Sequence, residues 1–195
     1  MITRSAVRAP WTWRLIRGPV RRFFDSVATG WDERVRSDSE SRLAPLTAAF
    51  AHVSRDPTRA LDIGTGTGTG AFFLAARYPS ATVLGIDLSP EMVVRAKAKA
   101  PSRGADVHFE VADITSFEPQ TAFDLVLMMN MPPFFDQVAR LVAPGGYVVS
   151  IASLGPATPF YTSAATLDRG FSRRGLRSVA VDPAGTYHVA ERPPA

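Results

Sequence analysis

The stretch Leu61-Asp62-Ile63-Gly64-Thr65-Gly66-Thr67-Gly68-Thr69-Gly70 constrains the fold more than any other part of the chain. It reads as the end of a buried strand (Ala60, Leu61, Ile63) running into glycines at every second position. Ala71, Phe72, Phe73, Leu74 and Ala75 then carry a helix. Glycine is needed where φ turns positive or where a ligand approaches the backbone, and such a junction aims helix N–H groups at a polar ligand. The stretch is therefore a nucleotide-type binding turn, provided that strands and helices alternate around it.

They do. Leu43, Leu46, Phe50 and Val53 recur at helical spacing until Asp56-Pro57, and residues 59–64 form the first strand. Residues 82–87 form the second. Ser89 caps the next helix, with Pro90 at its first position, Glu91 in its first turn, and Lys97 and Lys99 near the end that Pro101 closes. Residues 107–113 and 123–129 are strands three and four. Phe134, Phe135, Val138, Leu141 and Val142 give a helix ended by Pro144-Gly145-Gly146, and residues 147–152 are strand five. A helix with Ala164, Leu167 and Phe171 inward stops at Gly175. The last strands, 177–182 and 186–191, are joined by Asp182-Pro183-Ala184-Gly185, short enough for a hairpin, so one of them runs antiparallel. The pattern predicts an α/β fold, a doubly wound, mostly parallel, Rossmann-like sheet with one reversed strand.

At 195 residues this is one folded unit, residues 38–195, preceded by an arm, residues 1–37. The arm holds Trp11, Trp13, Leu15, Ile16, Phe23, Phe24, Val27 and Trp31 without a steady period, broken by Pro10, Gly18, Pro19 and Gly30. It is expected to lie across the body as short helical turns and to act as a lid, with Phe24 and Trp31 at the mouth of the cleft. A partly disordered tail up to about residue 20 is the competing expectation.

Charge is unevenly placed. Arg4, Arg8, Arg14, Arg17, Arg21 and Arg22 precede the first acid, Asp25, and without these six the net charge of +4 becomes −2. A nucleic-acid enzyme more often carries its basic stripe on the folded body. No apolar run has the length of a membrane span, and Arg14 and Arg17 interrupt the only cluster that resembles a secretory leader. The chain has no cysteine, which removes disulfides and thiolate chemistry, and His52, His108 and His188 lack metal-ligand spacing. Arg- and Ala-rich, Lys-poor usage suggests a bacterial source, and with no secretory h-region and an Arg-rich start poor in Ser for a transit peptide, a cytoplasmic protein is expected.

Gly66-x-Gly68-x-x-Ala71 fits a dinucleotide fingerprint, with Asp87 roughly 20 residues on. Asp62 argues against a dinucleotide, because a carboxylate where the pyrophosphate would lie repels it. The same carboxylate suits a ligand that carries an ammonium and a sulfonium.

In order, these pieces resemble the class I S-adenosylmethionine (SAM)-dependent methyltransferases. LDIGTGTGTG is similar to their first motif, GIDLSPEMVVRAKAK (85–99) to the second and VADITSF (111–117) to the third. FDLVLMMN and LVAPGGYVV are similar to the fourth and fifth. FDSVATGWDERV (24–35) resembles the start of quinone-pathway and related small-molecule members, with Trp31 where Tyr is commoner. The resemblance implies a seven-stranded sheet of order 3-2-1-4-5-7-6 with strand seven antiparallel. It also implies SAM as cofactor and a small-molecule acceptor.

By the same matching, Asp87 holds both ribose hydroxyls, and Gly64, Thr65, Gly66 and Gly68 pass close to the methionine portion. Asp62 takes the ammonium directly or through water. Asp113 accepts the adenine amino group, with Leu88, Met92, Ala112 and Ile114 around the ring. Trp31, Met129 and Asn130 complete the cofactor contacts, and Asn130 is the single candidate for a catalytic role. A general base is not evident.

Three other readings stay open. Met131-Pro132-Pro133-Phe134-Phe135 resembles the Pro-Pro-aromatic motif of amino-group methyltransferases acting on nucleic-acid bases, shifted so that Met131 stands where the polar residue belongs. The chain could bind SAM without transferring a methyl group. The glycine pattern alone would also suit an NAD-dependent dehydrogenase.

Overall fold

The computed structural model describes residues 12–35, 39–103 and 106–195. The Arg4, Arg8 and Trp11 part of the arm, and the boundary expected at 37/38, lie outside the described residues. The order is α1 (Trp13–Val27), α2 (Trp31–Val35), α3 (Glu40–Phe50), β1 (Arg59–Ile63), α4 (Thr69–Arg77), β2 (Thr82–Asp87), α5 (Pro90–Arg103), β3 (Val107–Val111), β4 (Phe123–Met129), α6 (Phe135–Leu141), β5 (Val142–Ile151), α7 (Ala164–Ser172), β6 (Arg177–Val181) and β7 (Tyr187–Glu191).

The seven strands follow the order β3-β2-β1-β4-β5-β7-β6. β7 alone is antiparallel to its neighbours, pairing Tyr147 with Glu191 and Ile151 with Tyr187 on β5. Both the order and the reversed strand agree with the sequence expectation. Strand order reverses between β1 and β4, and in open α/β sheets the ligand crevice lies at the carboxyl ends of the strands there.

Near-continuous apolar strands reflect burial on both faces. On one face Leu46, Phe50, Leu74 and Val93 from α3, α4 and α5 pack on Leu125, Leu127 and Val149. On the other, Phe135, Val138 and Leu141 of α6 and Phe171 of α7 cover Val126, Met128 and Val148.

Three local expectations are corrected. The arm is not a set of short turns: α1 is one 15-residue helix that runs through Gly18 and Pro19. Trp13, Ile16, Val20 and Phe24 recur at spacings of three and four, and the first three pack on the second core face; that burial outweighs the breakers. α5 likewise continues through Pro101 to Arg103. Pro144-Gly145-Gly146 does not precede β5 but lies inside it as a bulge, which shifts the register between Phe123 and Leu125. Gly145 has φ +75°; its N–H donates to the carbonyl of Arg192, and its own carbonyl accepts from Arg55.

Candidate functional site

The crevice is built from the glycine turn upward. Gly64 and Gly66 have φ of +67° and +54°, a region open to glycine at little cost. A Cβ on Gly66 would point at the Trp31 indole, 4.0 Å from its Nε1, so this glycine keeps the space beneath Trp31 open. Gly68 has a different task. A Cβ there would come within 2.7 Å of the Phe72 ring, so its small size serves packing rather than ligand approach.

Asp62 does not stand at the mouth, where the sequence reading put it. It is 1% exposed and lies behind the turn, its Oδ2 accepting from the Thr65 hydroxyl at 2.7 Å. Burial pushes its pKa up to about 7, opposed by the Thr65 hydroxyl and the Ala71 amide and aided by the charge of Asp87. A Cβ on Gly70 would sit 2.7 Å from both carboxylate oxygens, so that glycine is the cradle of the acid.

Asp87, at the end of β2, is braced from both sides. Its Oδ2 accepts from the Gly66 N–H and its Oδ1 from the Ser89 N–H, each at 2.8 Å. Each carboxylate oxygen has two acceptor directions, so a bidentate contact into the cleft remains open to it. Burial raises its pKa, against the Ser89 and Gly66 amides, and the charge of Asp25 adds to the rise. Asp25 in turn accepts from the Ser89 hydroxyl at 2.6 Å, and Ser89 Oγ caps α5 at the Met92 N–H.

Asp113 departs from expectation. Its Oδ1 accepts from Trp13 Nε1 at 3.1 Å and from the Thr115 amide and hydroxyl. Its Oδ2 pairs with Arg17 at 3.0 Å. Although burial works against the charge, the Thr115, Arg17 and Trp13 donors together hold Asp113 below the usual carboxylate range. Here the acid anchors the N-terminal helix. Trp13 completes the anchor: it is 7% exposed and meets Phe134 edge-on at 5.0 Å.

The arm therefore runs the width of the crevice. It is tied at Asp113 by Trp13 and Arg17, at Ser89 by Asp25, and at Thr67 and Lys99 by Asp32. Phe24 packs edge-on against Trp31 at 5.7 Å, and Trp31 lies beside Gly66 of the glycine turn. Of the residues expected around an adenine ring, Met92 and Ile114 are buried, while Leu88 and Ala112 are partly buried.

Asn130 and Met129 close β4. Asn130 adopts φ +54°, and its Oδ1 accepts from both the amide (2.8 Å) and the hydroxyl (3.0 Å) of Ser153. Its carbonyl oxygen thus holds the β5–α7 loop, and the expected exposure to an incoming substrate is not what this atom provides. The Pro-Pro-aromatic segment fares likewise: Phe134 and Phe135 are 3% and 8% exposed, locked against Trp13 and Phe171. Neither ring offers a face to a flipped base.

Beyond Met131 lies a small recess, partly open to solvent, between the ends of β4 and β5, the β5–α7 loop and the β6–β7 hairpin. Met131 is the partition, because its Sδ lies 3.2 Å from the Cβ position of Gly64 while its side chain also lines the recess. Sequence reasoning missed this recess and the Trp13–Asp113 anchor. The residues involved are far apart in the chain, and only the 3-4-4 spacing of Trp13, Ile16, Val20 and Phe24 hinted at the second.

Comparison with known proteins points to a family. Residues 60–146, the glycine turn through the end of the bulge, match the family model described as a methyltransferase domain. A trans-aconitate 2-methyltransferase of Methylobacterium nodulans is 36% identical over 116 residues, 55% of this chain and 43% of that protein. A demethylmenaquinone methyltransferase of Thermus thermophilus is 38% identical over 105 residues, 50% and 48% of the two chains.

The fold, the matched segment and these relatives support a class I SAM-dependent methyltransferase family for the chain. It spans about half the length of the curated relatives it matches. The same fold appears in magnesium protoporphyrin IX methyltransferase (ChlM) from Synechocystis with bound SAM, at TM-score 0.71 and 18% identity over 90% of this chain and 96% of that one. SAM is the cofactor of this methyltransferase fold, and the crevice fits it on its own evidence. The turn opens where a Cβ would intrude, Asp87 keeps acceptor capacity, and the charge of Asp87 acts on Asp62 as that of Asp25 acts on Asp87, a repulsion that a cationic ligand would relieve. Among the described residues no helix is long and apolar enough to cross a membrane, and no three His, Cys, Asp or Glu side chains are grouped to hold a metal ion.

Proposed function

We propose that the protein transfers a methyl group from SAM to an oxygen, nitrogen or carbon nucleophile of a small, largely apolar or aromatic molecule. The observation that carries this reading is the juxtaposition across Met131 of the open glycine turn and a small recess with Met128, Phe160 and Leu167 in its wall. Small molecules are also the acceptors named for the relatives, trans-aconitate and demethylmenaquinone.

When bound, SAM supplies an electrophilic methyl group on a sulfonium. The rest falls to the chain. Asp87 is placed to hold the ribose hydroxyls, Gly64 and Gly66 to let the backbone lie against the methionine portion, and Asp62 to supply negative charge from behind the turn. Trp31 and α1 cover the mouth and exclude water, which is the lid role we assign to the arm. Alignment of this kind supplies roughly 7–11 kcal/mol, against about 3–5 kcal/mol for a positioned general base. The site is furnished for the former.

The buried Phe134 and the committed Asn130 oxygen weigh against the nucleic-acid base reading. Thermal shift with ligands tests the proposal. S-adenosylhomocysteine at 100 times its Kd adds about 2.7 kcal/mol, roughly 5–10 °C for a chain of this size, and NAD adds nothing. A rise with NAD and none with the homocysteine ligand would overturn it. Transfer of tritium from methyl-labelled SAM to a panel of phenols, quinols and amines then identifies the acceptor.

A further inference from the structure

We propose that the outward face of α1 docks on a bilayer that carries anionic lipid headgroups. The proposal stands apart from the methyltransferase reading, because such docking needs no cofactor.

The two faces of α1 are put to different uses. Inward, Trp13, Ile16 and Val20 pack on the core, Arg17 pairs with Asp113, and Asp25 accepts from Ser89. That face is taken. Outward, Leu15, Pro19 and Phe23 recur at intervals of four and so lie along one side of the helix. Leu15 is 72% exposed and Phe23 58%, and an edge-on contact with Phe24 at 5.3 Å holds the Phe23 ring at the surface. A single exposed leucine is ordinary on a protein surface. Here a leucine and a phenylalanine share one helix edge with arginines.

Arg14, Arg21 and Arg22 are exposed beside that edge. Arg22, seven residues from Leu15, returns to the same side of the helix, and its Nη1 lies 3.7 Å from the Cβ position of Gly18. Arg21 pairs with Asp25 at 3.6 Å, whereas Arg14 and Arg22 have no acidic partner among the described residues. Arg4 and Arg8 precede the helix, no acid comes before Asp25, and the chain without its first six arginines carries −2. An anionic surface therefore attracts this end of the molecule more than the rest, which sets the side that turns toward it.

The combination favours a bilayer over a nucleic acid. Nucleic-acid phosphates would take the arginines and leave Leu15 and Phe23 in water. A bilayer interface takes both. The arginines stay among the headgroups while the apolar side chains enter the acyl boundary, as in helices that lie in the interface plane.

Co-sedimentation of the full chain with sucrose-loaded vesicles tests the proposal. Phosphatidylcholine alone is set against phosphatidylcholine mixed with phosphatidylglycerol. Each arginine near an anionic surface is worth roughly fivefold in affinity, so the mixed vesicles should bind at least about 30-fold tighter. Most of that preference should vanish between about 0.1 M and about 1 M salt. Arg14→Gln combined with Arg22→Gln should weaken binding to the mixed vesicles by about 30-fold. Leu15→Ser combined with Phe23→Ser should weaken it by at least about tenfold. These four side chains are exposed, so both double variants should melt within about 3 °C of the wild type. Equal affinity for the two kinds of vesicle, or binding to neither, overturns the proposal. So does vesicle affinity that either double variant leaves unchanged, because the contact would then lie elsewhere in the chain. An unstructured RNA bound more tightly than the mixed vesicles, and indifferent to the Leu15 and Phe23 substitutions, would overturn it in favour of a nucleic-acid partner. The lipid preference and its salt dependence are read on the unaltered protein, so they do not depend on the variants folding.

Discussion

SAM binding should release a proton from Asp62, and the affinity should depend on pH for that reason. In the ligand-free fold burial holds the acid near a pKa of about 7, so at pH 6 roughly nine in ten molecules carry it protonated. A ligand bearing an ammonium and a sulfonium favours the carboxylate, and each unit by which it lowers the pKa is worth 1.36 kcal/mol. A fall of two units weakens apparent binding at pH 6 by about ninefold relative to pH 8, with about 0.8 proton released per ligand at pH 6; a fall of one unit gives about fivefold and about 0.4 proton. Titration calorimetry from pH 5.5 to 8, in buffers of different ionisation heat, reads both quantities. Asp62→Asn keeps the shape that fits against Gly70 and removes the titration, so its affinity should lack this slope. Ionisation of the ligand's own amine is common to both proteins and cancels in the comparison. Equal slopes in wild type and Asp62→Asn would refute the reasoning, because the buried acid would then be uncoupled from the ligand.

Stability against pH should show two opposed contributions. Asp62, raised to about 7, adds stability at acid pH that is lost as pH rises through 7, about 4 kcal/mol in all. His188, lowered to about 4 by burial, adds stability above pH 6.5 that is lost as pH falls toward 4, about 3 kcal/mol. Thermal melts of wild type should therefore change little from this source between pH 4 and 6.5. Asp62→Asn should lose stability toward acid and His188→Gln should gain it; parallel profiles for all three proteins would contradict the assignment. Gly70→Ala drives a methyl group onto the Asp62 carboxylate and should cost about 1–3 kcal/mol by denaturant midpoint, with a loss of SAM affinity. Trp13→Ala removes a buried ring and the donor to Asp113, and should lower stability by about 3 kcal/mol. An unchanged melting temperature in that variant would show that α1 is not anchored where the structure places it.

Much of this molecule was legible in its sequence because the strongest signals were local. Asp-x-Gly-x-Gly after an apolar strand, the Ser89-Pro90 helix start and the Asp182–Gly185 hairpin each specify backbone geometry within a few residues. Their order pointed to a doubly wound sheet with one reversed strand, and the family resemblance supplied the strand order. Side-chain partners obeyed no such rule. Asp62 looked like a mouth residue because it precedes the glycines, yet strand alternation turns it beneath the turn, into the space that Gly70 leaves. Asp113 looked like an available acceptor, because nothing near it in sequence reveals that Trp13 and Arg17, 100 and 96 residues away, return to it. Asn130 was placed at the right end of β4, but its partner Ser153 belongs to a loop 23 residues on. Gly18-Pro19 was weighted as a helix break, although the apolar residues on either side stay in phase across it.

The position of β7 bears on how the molecule is made. It is sandwiched between β5 and β6, so the outer edge of β5 finds its partner only once residues 187–191 have been synthesised. Until then a nascent chain carries Tyr147-Val148-Val149-Ser150-Ile151 as an uncapped edge, β-prone and uncharged, the type of segment that recruits other strands. β6 emerges earlier but has no direct pairing with β5 in the finished sheet, so it must wait beside a gap that its successor fills. The sheet is therefore completed only after β7 is made, and substitutions that weaken β7 should surface first as aggregation of the incomplete sheet and only second as a lower melting temperature.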